Sequence, residues 1–199
     1  MLSTALSGMD ARVFPSWART LLVSLGIDLR MNSEPRAVLE TAILPYFAER
    51  PEYRTVLFVG CEWYTRGYRR VFAEKDYWTL EIDPGKKRFG ARQHVVDSVE
   101  NVDRHFTRNT FDVILCNGVY GWGLNEREAA DRAFNGCYEC MRESGVLVLG
   151  WNDVPRRTPF PLSDCRSLMR FRRFAFPPLG QTDYRVPGPK GHVYSFYLR

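Results

Sequence analysis

The sequence predicts an α/β fold in which helices cover both faces of a mostly parallel β-sheet. After residue 50 the chain alternates short apolar runs with amphipathic stretches of helix length, and the apolar runs show no polar alternation. A continuously apolar strand is buried on both faces, and a helix between two such strands indicates a parallel crossover connection. The 199 residues, 45% of them hydrophobic, are enough for one such domain and too few for two.

The first part of the chain, residues 1–50, is predicted to be a helical extension. A first helix is expected over residues 15–25, because a proline stands in its first turn and a glycine follows its end. A second helix is expected to begin after Ser33, whose side chain can cap it, and Pro45 and Pro51 are expected to close that segment. Residues 51–199 then hold the α/β domain, and the extension packs on it to give a single domain overall.

Five apolar runs are predicted to be the parallel strands, and four amphipathic stretches between them to be helices. The predicted strands are residues 55–59, 77–82, 94–96, 111–116 and 145–149. The predicted helices are residues 66–74, 85–92, 99–106 and 125–142. Residues 192–198 have the density of a strand, and residues 168–176 alternate in part, which together predict a hairpin added to the edge of the sheet.

Composition excludes several classes of protein. No apolar run approaches the roughly 18–20 residues of a membrane span, and Asp10, Arg12 and Pro15 interrupt any signal peptide, so we expect a cytoplasmic protein. Five cysteines in no disulfide-framework spacing suit a reducing compartment. Cys137 and Cys140 match C-x-x-C but lie in a helical pattern with no second pair, so we expect two small buried residues and no metal site.

The net charge of +5 comes from the last quarter of the chain. Residues 153–199 hold nine Lys and Arg against three Asp and Glu, a local charge of +6, whereas the first 152 residues hold 19 basic and 20 acidic side chains. An anionic partner is therefore expected at this tail, although scattered arginines also serve as a solvated surface.

Polar residues follow the predicted strands, at the edge where open parallel sheets bind ligands. Four of the five strand ends carry a carboxylate: Gly60-Cys61-Glu62, Glu81-Ile82-Asp83, Asp97-Ser98 and Trp151-Asn152-Asp153. The fourth strand is followed by three glycines among aromatic residues, in Asn117-Gly118-Val119-Tyr120-Gly121-Trp122-Gly123. Gly60 and Glu81 are 21 positions apart, close to the separation expected of nucleotide-binding folds.

This order of features resembles the class I S-adenosylmethionine-dependent methyltransferases over most of residues 55–152. "FDVIL" at 111–115 looks like the fourth strand of that family, and "CMRESGVLVLG" at 140–150 like its helix, turn and fifth strand. The resemblance implies a three-layer Rossmann-like fold with seven strands, the last antiparallel, and S-adenosylmethionine as cofactor. The chain is a divergent member, because Phe58 stands where the family has an acid, and Glu62 and Tyr64 stand where it has glycines.

The resemblance also implies the residues that bind the cofactor. Gly60 passes under it, Glu81 accepts hydrogen bonds from both ribose hydroxyls, and Asp97 either contacts the adenine amine or caps the following helix. Glu62 is expected to replace the missing acid at the methionine ammonium, while Tyr64 either walls the site or blocks it. The full predicted set is Gly60, Cys61, Glu62, Tyr64, Glu81, Ile82, Asp97, Ser98, Asn117 and Gly118.

The implied activity is methyl transfer to oxygen or nitrogen of a small-molecule or carbohydrate acceptor that can be anionic. The candidates for catalytic residues are Asn117, Tyr120 and Asp153, the last as a general base, although large aromatics such as Tyr120 also serve as core filler. Two alternatives stay open: an inactive binding module, which the substituted glycine loop motivates, and a nucleic-acid methyltransferase. Asn117 does not begin the N-P-P-[YF] sequence of nucleobase amino-methylating members, which disfavours the latter.

Overall fold

The computed structural model describes residues 10–199, and its central element is an eight-stranded sheet. The strands are β1 (Thr55–Val59), β2 (Asp76–Glu81), β3 (Gln93–Val96), β4 (Phe111–Asn117), β5 (Met141–Asn152), β6 (Arg172–Arg173), β7 (Asp183–Arg185) and β8 (His192–Leu198). Their order is β3-β2-β1-β4-β5-β8-β6, with β7 also paired to β8. The pairs among β1 to β5 are parallel, and β8 runs antiparallel to β5. The predicted α/β class and antiparallel last strand are confirmed.

The sheet has eight strands rather than the predicted seven. The segment between β5 and β8 contributes two short strands, β6 and β7, which pair with different stretches of the same edge of β8. β5 is also longer than predicted, because Arg142 and Glu143 stay in the strand as exposed residues and Ser144 takes a φ of 63° where the register against β4 shifts. An irregularity of this kind absorbs extra residues without ending the strand.

Burial explains why the central strands form. All five residues of β1 are buried, and successive side chains go to opposite faces of the sheet. Leu57 and Ile114 belong to the core cluster under the helix that precedes β5, whereas Val56 and Val113 belong to the cluster on the other face. Removing this much apolar surface from water on both faces favours a central sheet over any alternative for these runs.

Short helices cover the two faces. They are α1 (Ser16–Ser24), α2 (Glu34–Val38), α3 (Leu44–Glu49), α4 (Tyr68–Val71), α5 (Val102–His105) and α6 (Arg127–Cys140). α4 is shorter than the predicted helix over 66–74, because it begins after Gly67 and the backbone leaves the helical region at Phe72. Cys137 and Cys140 lie buried on α6, as predicted. Among residues 10–199 no helix combines the length and the apolar character needed to cross a membrane.

The N-terminal extension is helical as expected in its described part, while its first nine residues lie outside the described range. Of the two prolines predicted to close this segment, Pro45 does not end the helix, because α2 continues through a π-helical segment, Leu39–Ile43, into α3. The helix ends at Glu49, shortly before Pro51. Proline clashes with the carbonyl four residues earlier in a regular α-helix, and the wider π turn before Pro45 relieves that clash. Ser33 stands at the N-terminal cap position, but its side chain makes no capping hydrogen bond.

Candidate functional site

A cleft of about 670 Å³ opens at the carboxyl edge of the parallel strands. Its volume is within the range of about 300–1,000 Å³ that small-molecule sites occupy. The ends of β1 to β5, the start of β8 and α2 contribute to its walls. All ten residues predicted to bind the cofactor line this cleft: Gly60, Cys61, Glu62, Tyr64, Glu81, Ile82, Asp97, Ser98, Asn117 and Gly118.

Gly60 forms the floor where β1 ends. Its φ is 91°, in the region that favours glycine, and its N–H donates to the carbonyl of Leu80 at 2.9 Å. A Cβ at this position would lie 3.2 Å from the carbonyl oxygen of Asn117 and 3.4 Å from Val119 Cγ2. The turn therefore needs a glycine both for its conformation and for the close approach of the loop after β4.

Glu81 ends β2 inside the cleft, with 7% of its surface exposed. The backbone N–H of Cys61 donates to its Oε2 at 2.7 Å, and the N–H of Asp83 donates to its Oε1 at 2.9 Å. These two bonds hold the carboxylate in one orientation and tie the end of β2 to the turn after β1. Asp83 itself caps the following turn, since its Oδ1 accepts from the N–H of Gly85 at 2.8 Å.

Asp97 lies at the end of β3, and its carboxylate is engaged on both oxygens. Oδ1 accepts from the Ser98 N–H at 2.7 Å and from Asn101 Nδ2 at 2.9 Å, and Oδ2 is 2.6 Å from Nε2 of His105. The bond to His105, followed by those to Asn101 and Ser98, lowers the pKa of Asp97 to about 2. The capping alternative for Asp97 was wrong, because Ser98 is the cap residue of that turn.

The substituted loop after Gly60 folds as a tight turn. The Glu62 N–H donates to Thr65 Oγ1 at 2.9 Å, and the Thr65 N–H donates back to the Glu62 carbonyl at 2.9 Å. The Glu62 carboxylate forms an ion pair with Lys86 at 2.6 Å. Glu62 therefore lies in the cleft lining, where it was predicted, but Lys86 already neutralises its carboxylate.

Tyr64 stands in the wall of the cleft and does not fill it. The guanidinium carbon of Arg36, on α2, lies 4.1 Å from the centroid of the Tyr64 ring. Arg36 is 9% exposed, and its Nη1 donates to the Tyr68 hydroxyl at 2.7 Å, which donates in turn to Glu40 at 2.9 Å. Arg36 is a cleft residue that the sequence analysis missed. The sequence did contain a pattern that could have identified Arg36, because its spacing from the apolar residues of the same helical segment places it on the buried face.

The three predicted catalytic candidates separate in space. Asn117 lines the cleft, and its Oδ1 is buried with no hydrogen-bond partner in the described part of the chain. Tyr120 is fully buried, its hydroxyl donates to the carbonyl of Phe160, and it does not line the cleft. Asp153 also lies outside the lining, and its carboxylate pairs with Arg185. The structure therefore places only Asn117 of the three at the cleft.

His192 is a second cleft residue that the sequence analysis did not assign to the site. It begins β8 opposite Asn152 of β5, and its Nε2 is buried without a partner among residues 10–199. Burial, together with the nearby cations Arg36 and Lys190, lowers the pKa of His192 to about 4. The imidazole is therefore neutral at neutral pH.

Comparisons with known proteins give structural matches alone. No protein-family model matches the sequence, and no curated protein sequence matches it. The N-methyltransferase NodS from Bradyrhizobium japonicum WM9 matches with a TM-score of 0.60 and 12% identity over 85% of this chain and 99% of that chain. A TehB-like S-adenosylmethionine-dependent methyltransferase from Corynebacterium glutamicum matches with a TM-score of 0.57 and 15% identity over 92% of this chain and 94% of that chain. The chain has the class I methyltransferase fold.

The methyltransferase fold by itself does not decide which group is transferred. A probable spermidine synthase from Corynebacterium glutamicum matches with a TM-score of 0.57 and 16% identity, over 84% of this chain and 64% of that chain. Within this methyltransferase fold, Gly60 and Glu81 stand at the ends of adjacent strands, as the resemblance implied. A particular chemistry must therefore be inferred from the side chains of the cleft.

Proposed function

We propose that this chain is an S-adenosylmethionine-dependent methyltransferase that acts on an oxygen or nitrogen atom of a small-molecule or carbohydrate acceptor. The observation that carries the proposal is the Glu81 carboxylate, buried at the end of β2 and held by two backbone N–H groups. No cation forms an ion pair with it among residues 10–199. A carboxylate buried in this way is stabilised by donors, and the cleft leaves room for more of them.

Glu81 suits the two hydroxyls of a ribose. A carboxylate has about four lone-pair directions, and the backbone of Cys61 and Asp83 uses one on each oxygen. Each oxygen can therefore accept one further hydrogen bond, so two neighbouring hydroxyls can donate to Oε1 and Oε2. Hydrogen bonds to an ionised group are the strong ones, which makes this residue the anchor of the proposed cofactor site.

The rest of the cofactor would extend to both sides of Glu81. Ile82, 67% exposed, presents an apolar side chain to a flat adenine ring, and Asp97 and Ser98 lie beyond it at the end of β3. Gly60 leaves space for the sugar and the methionine chain over the end of β1. Arg36 lies on α2 beside Tyr64 of the loop after β1, where its buried guanidinium can bind the methionine carboxylate.

When bound, S-adenosylmethionine supplies a methyl group on a sulfonium, which is already a strong electrophile. The chain then has to align the acceptor and exclude water. Asn117 offers an amide to the acceptor. Its Oδ1 packs against Gly150, where an added Cβ would collide with it, so the glycine leaves room for this side chain. The Trp122 ring, fixed by its stack with Arg157 at 3.4 Å, forms an apolar wall beside it. We assign no side-chain base, because Tyr120 and Asp153 lie outside the cleft.

The second candidate, an inactive binding module, is favoured by two observations. The Glu62 carboxylate is paired with Lys86, and Tyr64 replaces a family glycine at the wall. The ion pair occupies the carboxylate that was predicted to bind the methionine ammonium, and the Tyr64 ring takes up space that a glycine would leave open. The binding experiment below separates the two candidates.

Calorimetric titration of the folded protein with S-adenosylmethionine and with S-adenosylhomocysteine tests the proposal. We expect both to bind, and Glu81→Gln to weaken binding at least about 100-fold, because two hydrogen bonds to a charged group contribute roughly 1.5–3 kcal/mol each. Asp83→Asn is the matched control: it removes the same charge two residues away, retains the cap and lies outside the cleft lining. Its affinity should stay within about two-fold of the wild type.

Two results would contradict the proposal. Absence of binding by wild-type protein with a cooperative thermal unfolding transition would favour the inactive module. Equal affinities for the wild type and Glu81→Gln would mean that the ligand binds elsewhere than at the end of β2. Thermal unfolding of both variants shows whether the fold is intact.

A further inference from the structure

Four cationic side chains line the cleft without an ion-pair partner among residues 10–199. They are Arg36, Arg156, Arg157 and Lys190. The carboxylates of the same lining are occupied: Glu62 pairs with Lys86, Asp97 with His105 and Glu100 with Arg132, while two backbone N–H groups bind Glu81. The cleft therefore carries an excess of positive charge that the chain itself does not compensate.

Three of the four unpaired cations are concentrated at one end of the cleft. Arg156 and Arg157 lie in the turn after β5, and Lys190 lies just before β8. The end of β5 and the start of β8 are adjacent, because Asn152 is registered opposite His192. The proposed ribose anchor stands on β2, and β1 and β4 lie between the two ends. The basic end is thus on the acceptor side of the proposed cofactor site.

The proposed cofactor does not neutralise these cations. At neutral pH it carries a sulfonium, an ammonium and one carboxylate, so its own net charge is positive. Its carboxylate would match Arg36 at most, which leaves Arg156, Arg157 and Lys190. Like charges that line one end of a cleft repel one another and attract anions, and the low-dielectric protein wall beside them reduces screening.

Arg157 is held in place before any ligand arrives. Its guanidinium lies 3.4 Å from the Trp122 ring centroid, and its Nη1 donates to the Gly121 carbonyl at 3.1 Å. Arg156 and Lys190 are exposed and make no side-chain hydrogen bond within the described residues. The set therefore combines one fixed charge with two that are free to close on a ligand.

We infer that the methyl acceptor carries a phosphate or carboxylate group, which Arg156 and Lys190 bind at the β5–β8 end of the cleft beside the fixed charge of Arg157. The inference rests on the proposed function for the identity of the ligand as an acceptor. It goes further in naming the substrate class, an anionic small molecule, and the side chains that select it. Neutral molecules of the same shape should bind much more weakly, because they leave the cations unpaired.

The test measures binding of three probes by calorimetry, each with and without saturating S-adenosylhomocysteine: phenyl phosphate, benzoate and the neutral benzyl alcohol. The variant Arg156→Gln/Lys190→Gln is compared with Arg172→Gln/Lys87→Gln, which removes the same charge at exposed positions outside the cleft lining. We expect the anionic probes to bind, benzyl alcohol not to bind, and the cleft variant to lose about ten-fold in affinity for the anions. Neither variant should change the affinity for S-adenosylhomocysteine.

The outcomes separate this inference from the proposed function. Binding of S-adenosylhomocysteine with no binding of either anion would overturn the anionic acceptor and leave the methyltransferase proposal standing. Equal loss in both double variants would also overturn it, since it would report net charge alone. Anion binding that is lost in the cleft variant, without S-adenosylhomocysteine binding, would support the anion site and refute the cofactor proposal. The ratio between phenyl phosphate and benzoate identifies the preferred group.

Discussion

Acidification is expected to destabilise this protein through His192. The imidazole is 7% exposed, and burial together with Arg36 and Lys190 lowers its pKa from 6.5 to about 4. The folded-state pKa is therefore below the unfolded-state pKa, and the unfolded chain binds more protons between the two values. The stabilising contribution of the neutral ring is complete above about pH 6.5 and is lost as the pH falls toward about 4.

The size of the effect follows from the same two pKa values. One pH unit over which the folded and unfolded states differ by one proton changes the free energy of unfolding by about 1.4 kcal/mol. Across the window from 6.5 to about 4, the loss attributable to His192 is at most about 3 kcal/mol. A single domain is typically stable by about 5–15 kcal/mol, so a loss of this size is readily measured.

Urea unfolding followed by tryptophan fluorescence at several values between about pH 7 and pH 4.5 measures this loss. His192→Gln is the comparison, because it keeps a polar side chain that does not titrate. His94, whose pKa burial also lowers, and the carboxylates titrate in both proteins, so the difference between the two profiles isolates His192. We expect the wild type to lose more stability than the variant as the pH falls. Parallel profiles would refute the assignment of His192 as a buried neutral imidazole.

Three further perturbations test the turns at the two edges of the sheet. Gly60→Ala should lower the free energy of unfolding in denaturant by about 1 kcal/mol more than Gly26→Ala does. Both glycines have positive φ values, 91° and 84°, but of these two only position 60 has atoms within 4 Å of an added Cβ. Equal losses would show that the residues around Gly60 can move to accommodate a methyl group. Asp112→Ala should lower the free energy of unfolding by about 2–4 kcal/mol. The substitution removes the acceptor of two backbone N–H groups at the start of β1, each of which donates to Asp112 Oδ2 at 2.8 Å. A loss under about 0.5 kcal/mol would contradict this expectation. His105→Ala should raise the pKa of Asp97 from about 2. In the wild type this carboxylate contributes stability that is present above pH 3.8 and lost as the pH falls toward 2, and the variant should lose part of that contribution. An Asp97 titration by NMR that is the same in both proteins would refute the assigned bond.

The strands of the sheet were predictable because they are decided locally. β1 was predicted at its observed bounds, and the other four parallel strands were located within a few residues. Apolar runs of this length have no stable place except between two covering layers. The same logic placed Gly60 and Glu81 at adjacent strand ends, since neighbouring parallel strands end at the same edge.

The errors arose where local patterns had more than one solution. A proline in the interior of a helical pattern usually ends the helix, but the π-helical segment before Pro45 lets this helix continue. Tyr120 lies in a glycine-rich loop next to residues that line the cleft, yet its ring turns into the core and its hydroxyl bonds to Phe160, 40 residues away. A residue in a loop can point to either side, and only the packing of distant segments selects one.

By itself the sequence determined the fold class, the strand ends that form the cleft edge and the acids that stand there, because burial and strand direction follow from short-range patterns. Only the tertiary structure decided which charges in the cleft are free. Glu62 pairs with Lys86 and Glu100 pairs with Arg132, each from a different segment of the chain, whereas Arg36 lies over Tyr64 without a carboxylate partner among residues 10–199. Ion pairing depends on distances of a few ångströms between segments that are far apart in the chain, and those distances are set when the layers pack together.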